Sequence, residues 1–345
     1  EGQLLTVGAQ TPLARNLTLH GALRLDRHED DFVLDRHRPE WFHNHHVTKG
    51  ALIDLSLRGS WNGWSWAAGV EAARDDIVSS NLGDHDQKRR ALFAEVGRLS
   101  GPLTFAVQGR VDNHDSWGTI TTGAVSGRWR FHSGWALRAS WGQSFRAPSF
   151  TDLYYSSPST TGNTDLEPEQ GHTVEIGLEG SHVNLTIFRR EAKPLIDYLL
   201  HDDGVWRAEN VGRLTTDGIE AGLNLPITGV LEWQRLGVTW LDSNVEVDPT
   251  RSRYALAHPR LQAAWTGGAE HRDLWRAGWA LRYRQPANGG SWTTLDLRLG
   301  RRILSQMWLD LEADNVFDRS ITEVSGVPLP GRWVTLTVTW RSDSR

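Results

Sequence analysis

Apolar and polar residues alternate along this chain in stretches of about ten, again and again. Leu17, Leu19, Gly21, Leu23 and Leu25 share one parity, and Thr18, His20, Ala22, Arg24 and Asp26 share the other. Successive side chains of a strand point to opposite faces, so such a stretch predicts a strand with one apolar and one polar face. Trp135, Leu137, Ala139 and Trp141 alternate in the same way with Arg138, Ser140 and Gly142, and Val334, Leu336, Val338 and Trp340 with three threonines. Apolar residues do not recur at helical spacing in these windows. The pattern predicts an all-β chain of about 16–18 strands. Among them are 3–10, 17–26, 47–59, 64–78, 88–98, 183–200 and 332–341.

The polar face carries charge in nearly every predicted strand, and tryptophan falls often at the ends of the apolar face. Short links (11–16, 60–63, 99–102, 131–134) alternate with longer polar ones (27–46, 79–88, 146–170, 201–213, 242–259, 317–331). Apolar-out, polar-in strands with aromatic girdles, short turns at one end and long loops at the other describe a transmembrane antiparallel β-barrel. A soluble sandwich has no reason to obey that asymmetry.

Composition fits this picture. Mean hydropathy is -0.46, and no apolar run approaches the ~20 residues that a spanning helix needs. A barrel needs no such run, because half of each strand faces a wet lumen. The 18 tryptophans find a place where an indole satisfies its ring and its N–H together, at the membrane interface. With 37 Lys and Arg against 42 Asp and Glu there is no basic block, so nucleic acid is not an expected partner. Zero cysteines exclude disulfides, thiolate metal sites and a Cys nucleophile.

The last predicted strand follows a long link and so ends on the short-turn side, the periplasm in a bacterial barrel. The first strand also runs towards a short turn, which places Glu1 on the opposite side. Three readings account for this: the first segment does not span, a strand near Asp31–Asp35 is hidden, or further strands precede the chain.

Two regions carry a resemblance. Ser144-Phe145-Arg146-Ala147-Pro148-Ser149-Phe150-Thr151-Asp152-Leu153-Tyr154 is followed by Gly162-Asn163-Thr164-Asp165-Leu166-Glu167-Pro168-Glu169. Later come Ala313-Asp314-Asn315-Val316-Phe317-Asp318 and Gly326-Val327-Pro328-Leu329-Pro330-Gly331-Arg332. Together they resemble signature segments of TonB-dependent outer-membrane receptors, the cobalamin and siderophore branch in particular. Thr164 stands where that family usually has Pro. The resemblance extends over 88–341, while 1–87 fits by pattern alone. It implies one barrel domain over 1–341 with a polar tail at 342–345, in the bacterial outer membrane. Family members carry twenty-two strands, an N-terminal plug and a TonB-contacting box, and neither plug nor box is recognisable here.

The motif residues Phe145, Arg146, Ala147, Pro148, Asn163, Leu166, Pro168, Glu169, Asn315, Phe317, Asp318, Pro330, Gly331 and Arg332 are expected to shape the barrel rim rather than to touch ligand. Arg24, Arg138, Arg276, Arg282, Arg284, Asp296, Arg298, Asp310 and Glu312 are the candidate lumen lining, for contact with a plug or for substrate selectivity. His43, His45, His46, Asp84 and Asp86 are weak loop candidates for a metal, and loop calcium on oxygen ligands is the one cofactor considered. No catalytic set can be singled out, and the chain is not expected to be an enzyme. The resemblance implies a transport barrel that imports a scarce nutrient such as a siderophore or corrinoid. Its partners would be outer-membrane lipid, a plug domain or second chain, TonB through that plug, and a small-molecule ligand. A passive porin-like channel, or one chain of a split receptor or assembly subunit, is the alternative.

Overall fold

The computed structural model describes residues 1–225, 229–246, 251–253, 258–287, 289–324 and 327–340. Seventeen strands belong to one sheet, as the alternation predicts. They are β1 (Gly2–Ala14), β2 (Leu17–Val33), β3 (His43–Trp61), β4 (Trp64–Ser79), β5 (Gly83–Ser100), β6 (Leu103–His114), β7 (Gly118–His132), β8 (Trp135–Arg146) and β9 (Glu169–Glu179). They continue as β10 (Val183–Ala192), β11 (Leu214–Leu225), β12 (Leu231–Val245), β13 (Pro259–His271), β14 (Trp275–Pro286), β15 (Trp292–Leu304), β16 (Met307–Asp314) and β17 (Trp333–Trp340). The chain divides into two compact units.

In the first unit β1 to β8 pair in sequence order, each antiparallel to the next. Register turns the alternation of each strand into a face of the sheet. Leu5 pairs with Leu25, Leu23 with Ile53, Leu55 with Val70, Val70 with Leu92, Leu92 with Val111, Val107 with Val125 and Val125 with Trp141. All of these side chains but Leu23 are exposed, Leu92 at 62% and Val107 at 51%, and they form an apolar face with no other element packed on it among the described residues. The other face carries Arg24, Asp54, Glu71, Arg89 and Arg110. Asn62 and Gly63, with φ of 48° and 78°, close the β3–β4 hairpin. Two positive φ values in a two-residue loop match the right-handed twist of the strands, and Asn-Gly adopts them most readily.

Four expectations change. The connection expected at 79–88 shrinks to 80–82, because β4 and β5 stay paired as far as Ser79 and Gly83. The connection expected at 27–46 is mostly ladder: β2 and β3 stay paired as far as Val33 and His43, leaving 34–42 as the loop. Asp31–Val33 is the end of β2, and Asp31–Asp35 forms no additional strand. Backbone pairing does not depend on an apolar face, so the ladder continues where the hydrophobic pattern stops. The strand expected at 183–200 is two elements, because Pro194 lacks the N–H that a ladder needs. Leu195–Leu200 instead pairs with Trp206–Val211 in a separate small sheet with Ser156–Ser157 and Thr160–Thr161.

That small sheet takes its other strands from the connections expected at 146–170 and 201–213, and it has a core. Leu153, Leu166, Ile196, Tyr198 and Ala208 are buried together, with Tyr154 and Trp206 packed against them. A short helix, α1 (Phe150–Tyr154), brings in Leu153. Ser149 and Asp152 cap it reciprocally: the Ser149 hydroxyl accepts from the Asp152 N–H, and the Asp152 carboxylate accepts from the Ser149 N–H.

In the second unit β12 to β17 pair in sequence order, again antiparallel. Leu297, Leu299, Leu311, Val334, Leu336 and Val338 form its exposed apolar face. The expected polar tail at 342–345 lies outside the described residues.

Candidate functional site

The polar face of the first unit holds a network of ions. Glu71 on β4 accepts from Arg89 on β5 at 2.8 Å and from Arg110 on β6 at 2.9 Å. Arg110 also grips Asp112 through Nε and Nη2 at 2.7 and 2.8 Å. Asp112 is fully buried. A buried carboxylate costs several kcal/mol unless it is paired, and the two-pronged guanidinium supplies the pair. Sequence reasoning singled out none of Glu71, Arg89 and Arg110; the i,i+2 spacing of Arg110 and Asp112 on one strand face was the signal. Of the lumen candidates here, Arg138 donates to Glu175 at 2.6 Å and Arg24 to Asp26 at 3.1 Å.

The second unit repeats the motif by another route. Arg276 on β14 reaches past β15 to Asp310 on β16, with Nε 2.8 Å from Oδ1. Gly300 lies between them in register, and a Cβ there would collide with the Arg276 side chain, 2.7 Å from its Cγ, and with the Asp310 carboxylate. The bare glycine is what opens the path. Arg298 bridges Asp310 at 3.3 Å and Glu312 at 3.1 Å, and Arg282 pairs with Asp296. Asp296 also accepts from the backbone N–H of Asn315 at 2.9 Å. Arg282 and Arg284, with Asn184, Glu220, Gln262 and Trp292, line a concavity of about 460 Å³ on the polar face of this unit. It is a mixed-charge recess suited to hydrogen-bonding a polar solute or a polypeptide surface.

The rim residues assemble around one guanidinium. Arg146 at the end of β8 holds Glu169 bidentately at 2.9 and 3.0 Å and Asp152 at 3.0 Å. Glu169 accepts in turn from the Ile196 N–H at 2.7 Å, which locks the small sheet to the strand end. Phe145 packs edge-on against Trp117, and Pro148, Leu166 and Pro168 are buried. Ala147 links β8 to the α1 cap, and the Asn163 N–H donates to the Asp152 carbonyl at 2.8 Å. The second motif is a turn. Asn315 (φ 48°) accepts from the Arg319 N–H at 3.0 Å and donates to the Pro330 carbonyl at 3.4 Å. Asp318 (φ 52°) accepts from the Arg332 N–H at 2.8 Å, close against Gly331, while the Phe317 ring is 48% exposed.

The weak metal candidates are not brought together. His43 bonds Asp31, His45 lies 3.8 Å from Glu29, and His46 bonds the Ser79 hydroxyl at 2.7 Å. Asp86 sits between Arg74 and Lys88, while Asp84 pairs in register with Val78. Among the described residues no three His, Asp or Glu side chains converge on a metal position.

Residues 72–316 match the family described as TonB dependent receptor-like, beta-barrel. The structure is similar to that of the copper transporter OprC, with TM-score 0.80 and 16% identity, over 98% of this chain and 65% of that one. It is similar to the ferric enterobactin receptor PfeA of Pseudomonas aeruginosa, with TM-score 0.79 and 16% identity, over 98% and 61%. The ferric-catecholate import receptor Fiu of K12 E. coli gives 0.75 and 14%, over 98% and 64%. The chain spans under two thirds of the length of each.

Proposed function

The chain belongs to the TonB-dependent receptor β-barrel family of the outer membrane, and from that premise we propose that it is the transport barrel of a receptor importing a scarce small-molecule nutrient. The observation that carries the reading is the family match over 72–316 on a sheet with two unlike faces. The apolar face meets lipid, and the ionic face lines the path or meets a plug, from the same chain or from a second one. The end with the long connections, where the Arg146 cluster and the small sheet lie, is the extracellular end that captures ligand. Siderophores and corrinoids are the proposed ligand classes, with energy arriving through TonB and the plug. The solved neighbours carry copper and ferric-catecholate names, which fits a metal-bearing cargo. No enzymatic step and no resident cofactor are part of the proposal.

The test is uptake by a receptor-deficient Gram-negative host expressing the chain, with and without functional TonB. Labelled ferric catecholate and cobalamin are the probes. Uptake that requires TonB supports the proposal. Uptake or solute leak indifferent to TonB overturns it in favour of a passive porin-like channel. A chain absent from the outer-membrane fraction overturns both.

A further inference from the structure

On the apolar face of the first unit, Ile53, Ala72, Arg90 and Asn113 lie in one register row across β3 to β6. The row below it runs Leu55, Val70, Leu92, Val111. Ala72 contributes only a methyl between Ile53 and Arg90, so the face is indented there. The result is an open groove of about 550 Å³ lined by Ile53, Leu55, Val70, Ala72, Leu92 and Val111, with Arg90 and Asn113 at its end. Along β5 the residues of that face run Val96, Ala94, Leu92 and then Arg90, with Arg98 at the other end opposite Trp64. Eight residue steps of tilted strand, from Arg98 to Arg90, rise roughly 20 Å, close to the height of the apolar band of an outer-membrane barrel. Arg90 therefore stands at the edge of the hydrocarbon layer.

The charges above the groove point to what fills it. Arg74 and Lys88 occupy the next row up on the same face, and Lys49 the row beyond, paired in register with Asp76. Arg74 is bound to Asp76 at 2.7 Å and lies 3.5 Å from Asp86, and Lys88 is 3.6 Å from Asp86. Arg90 is exposed and forms no ion pair or hydrogen bond among the described residues. A guanidinium without a carboxylate, at the membrane edge and above a slot sized for hydrocarbon, is complementary to an anionic head on acyl chains. Its flat fork suits two phosphate oxygens.

We propose that this face is a binding site for a phosphorylated, multi-acyl lipid of the outer leaflet. One acyl chain lies along the Ala72 groove, and a head-group phosphate sits on Arg90. The site rests on the outer-membrane placement and on the long-connection end facing outwards.

Native mass spectrometry of the purified full chain tests it, with bis-phosphorylated hexa-acyl lipid A, its dephosphorylated form and phosphatidylglycerol as probes. The expected result is selective retention of the phosphorylated lipid A. Arg90→Ala lowers that retention about five-fold, the loss expected of one membrane-edge cation. Ala72→Phe, which fills the groove and leaves every charge in place, lowers it as well, and Arg90→Lys restores part of the loss. Heat-modifiable mobility on gels confirms that each variant is folded. Equal retention of all three lipids, or folded Arg90→Ala and Ala72→Phe proteins that bind like wild type, overturns the site. Those results leave the transport proposal standing, whereas a wild-type chain that never reaches the outer membrane removes both.

Discussion

The rim and the wall of the first unit are built on opposite principles. The small sheet at the rim buries Leu153, Leu166, Ile196, Tyr198 and Ala208 against one another, as a water-soluble domain does. The wall, β1 to β8, has no such core: its large apolar side chains are exposed on one face and its charges pair on the other. The wall is stable because lipid supplies the environment that protein supplies at the rim, while the antiparallel ladder satisfies the backbone between paired strands. The two regions therefore answer the same substitution differently.

The largest effect falls in the rim core. Leu153→Ala removes a buried side chain and leaves a cavity, at a cost of about 3 kcal/mol in local opening. Hydrogen exchange then shows lost protection across 149–166 and 195–211, with β4 to β6 unchanged. Arg146→Ala follows, at about 2 to 3 kcal/mol, because Glu169 and Asp152 are left partly buried without their shared cation. Protease cleavage within 155–165 is its readout, and Arg146→Lys recovers little of the loss, since a point charge cannot bridge both acids bidentately. Leu92→Ala on the wall changes opening of the β5 ladder in lipid by under about 1 kcal/mol, since lipid fills the gap that protein cannot. A loss as large as that of Leu153→Ala would mean that Leu92 faces protein.

The smallest effect concerns acid. Asp203 in the loop joining the small-sheet strands is held below the usual carboxylate range, chiefly by Arg207 and then by the Val205 N–H. A folded-state pKa below the unfolded value stabilises above the unfolded pKa, near 4, and that support fades as pH falls through the folded value. Acid titration of rim protection therefore shows a slight extra loss below about pH 4, and Asp203→Asn abolishes that pH-dependent part.

The wall was legible in the sequence and the rim was not. Alternation such as Leu17 to Asp26 encodes a two-faced strand directly, and Asn62-Gly63 marks its turn. What the pattern missed lies where one face stops being apolar: β2 and β3 continue to Val33 and His43 although residues 27–31 and 43–46 are polar on both parities. The small sheet escaped because its strands are short and because its core gathers single residues from 153, 166, 196, 198 and 208. That the charges share one face was legible by parity, but their partners were not. Arg276 and Asp310 meet only because Gly300 is bare, a fact of register rather than of composition.

The central claim is that one face of this sheet meets lipid and the other water. The chain has no cysteine, so each introduced one is a unique label site. Single cysteines at positions 91–96 and 105–110 carry a nitroxide label in the membrane-embedded protein, and collision with oxygen and with a water-soluble nickel chelate is measured at each. The account predicts a strict period of two: oxygen dominates at Leu92, Ala94, Val96, Phe105 and Val107, and nickel at Ala91, Phe93, Glu95, Ala106 and Gln108. Equal nickel access at both parities would contradict it.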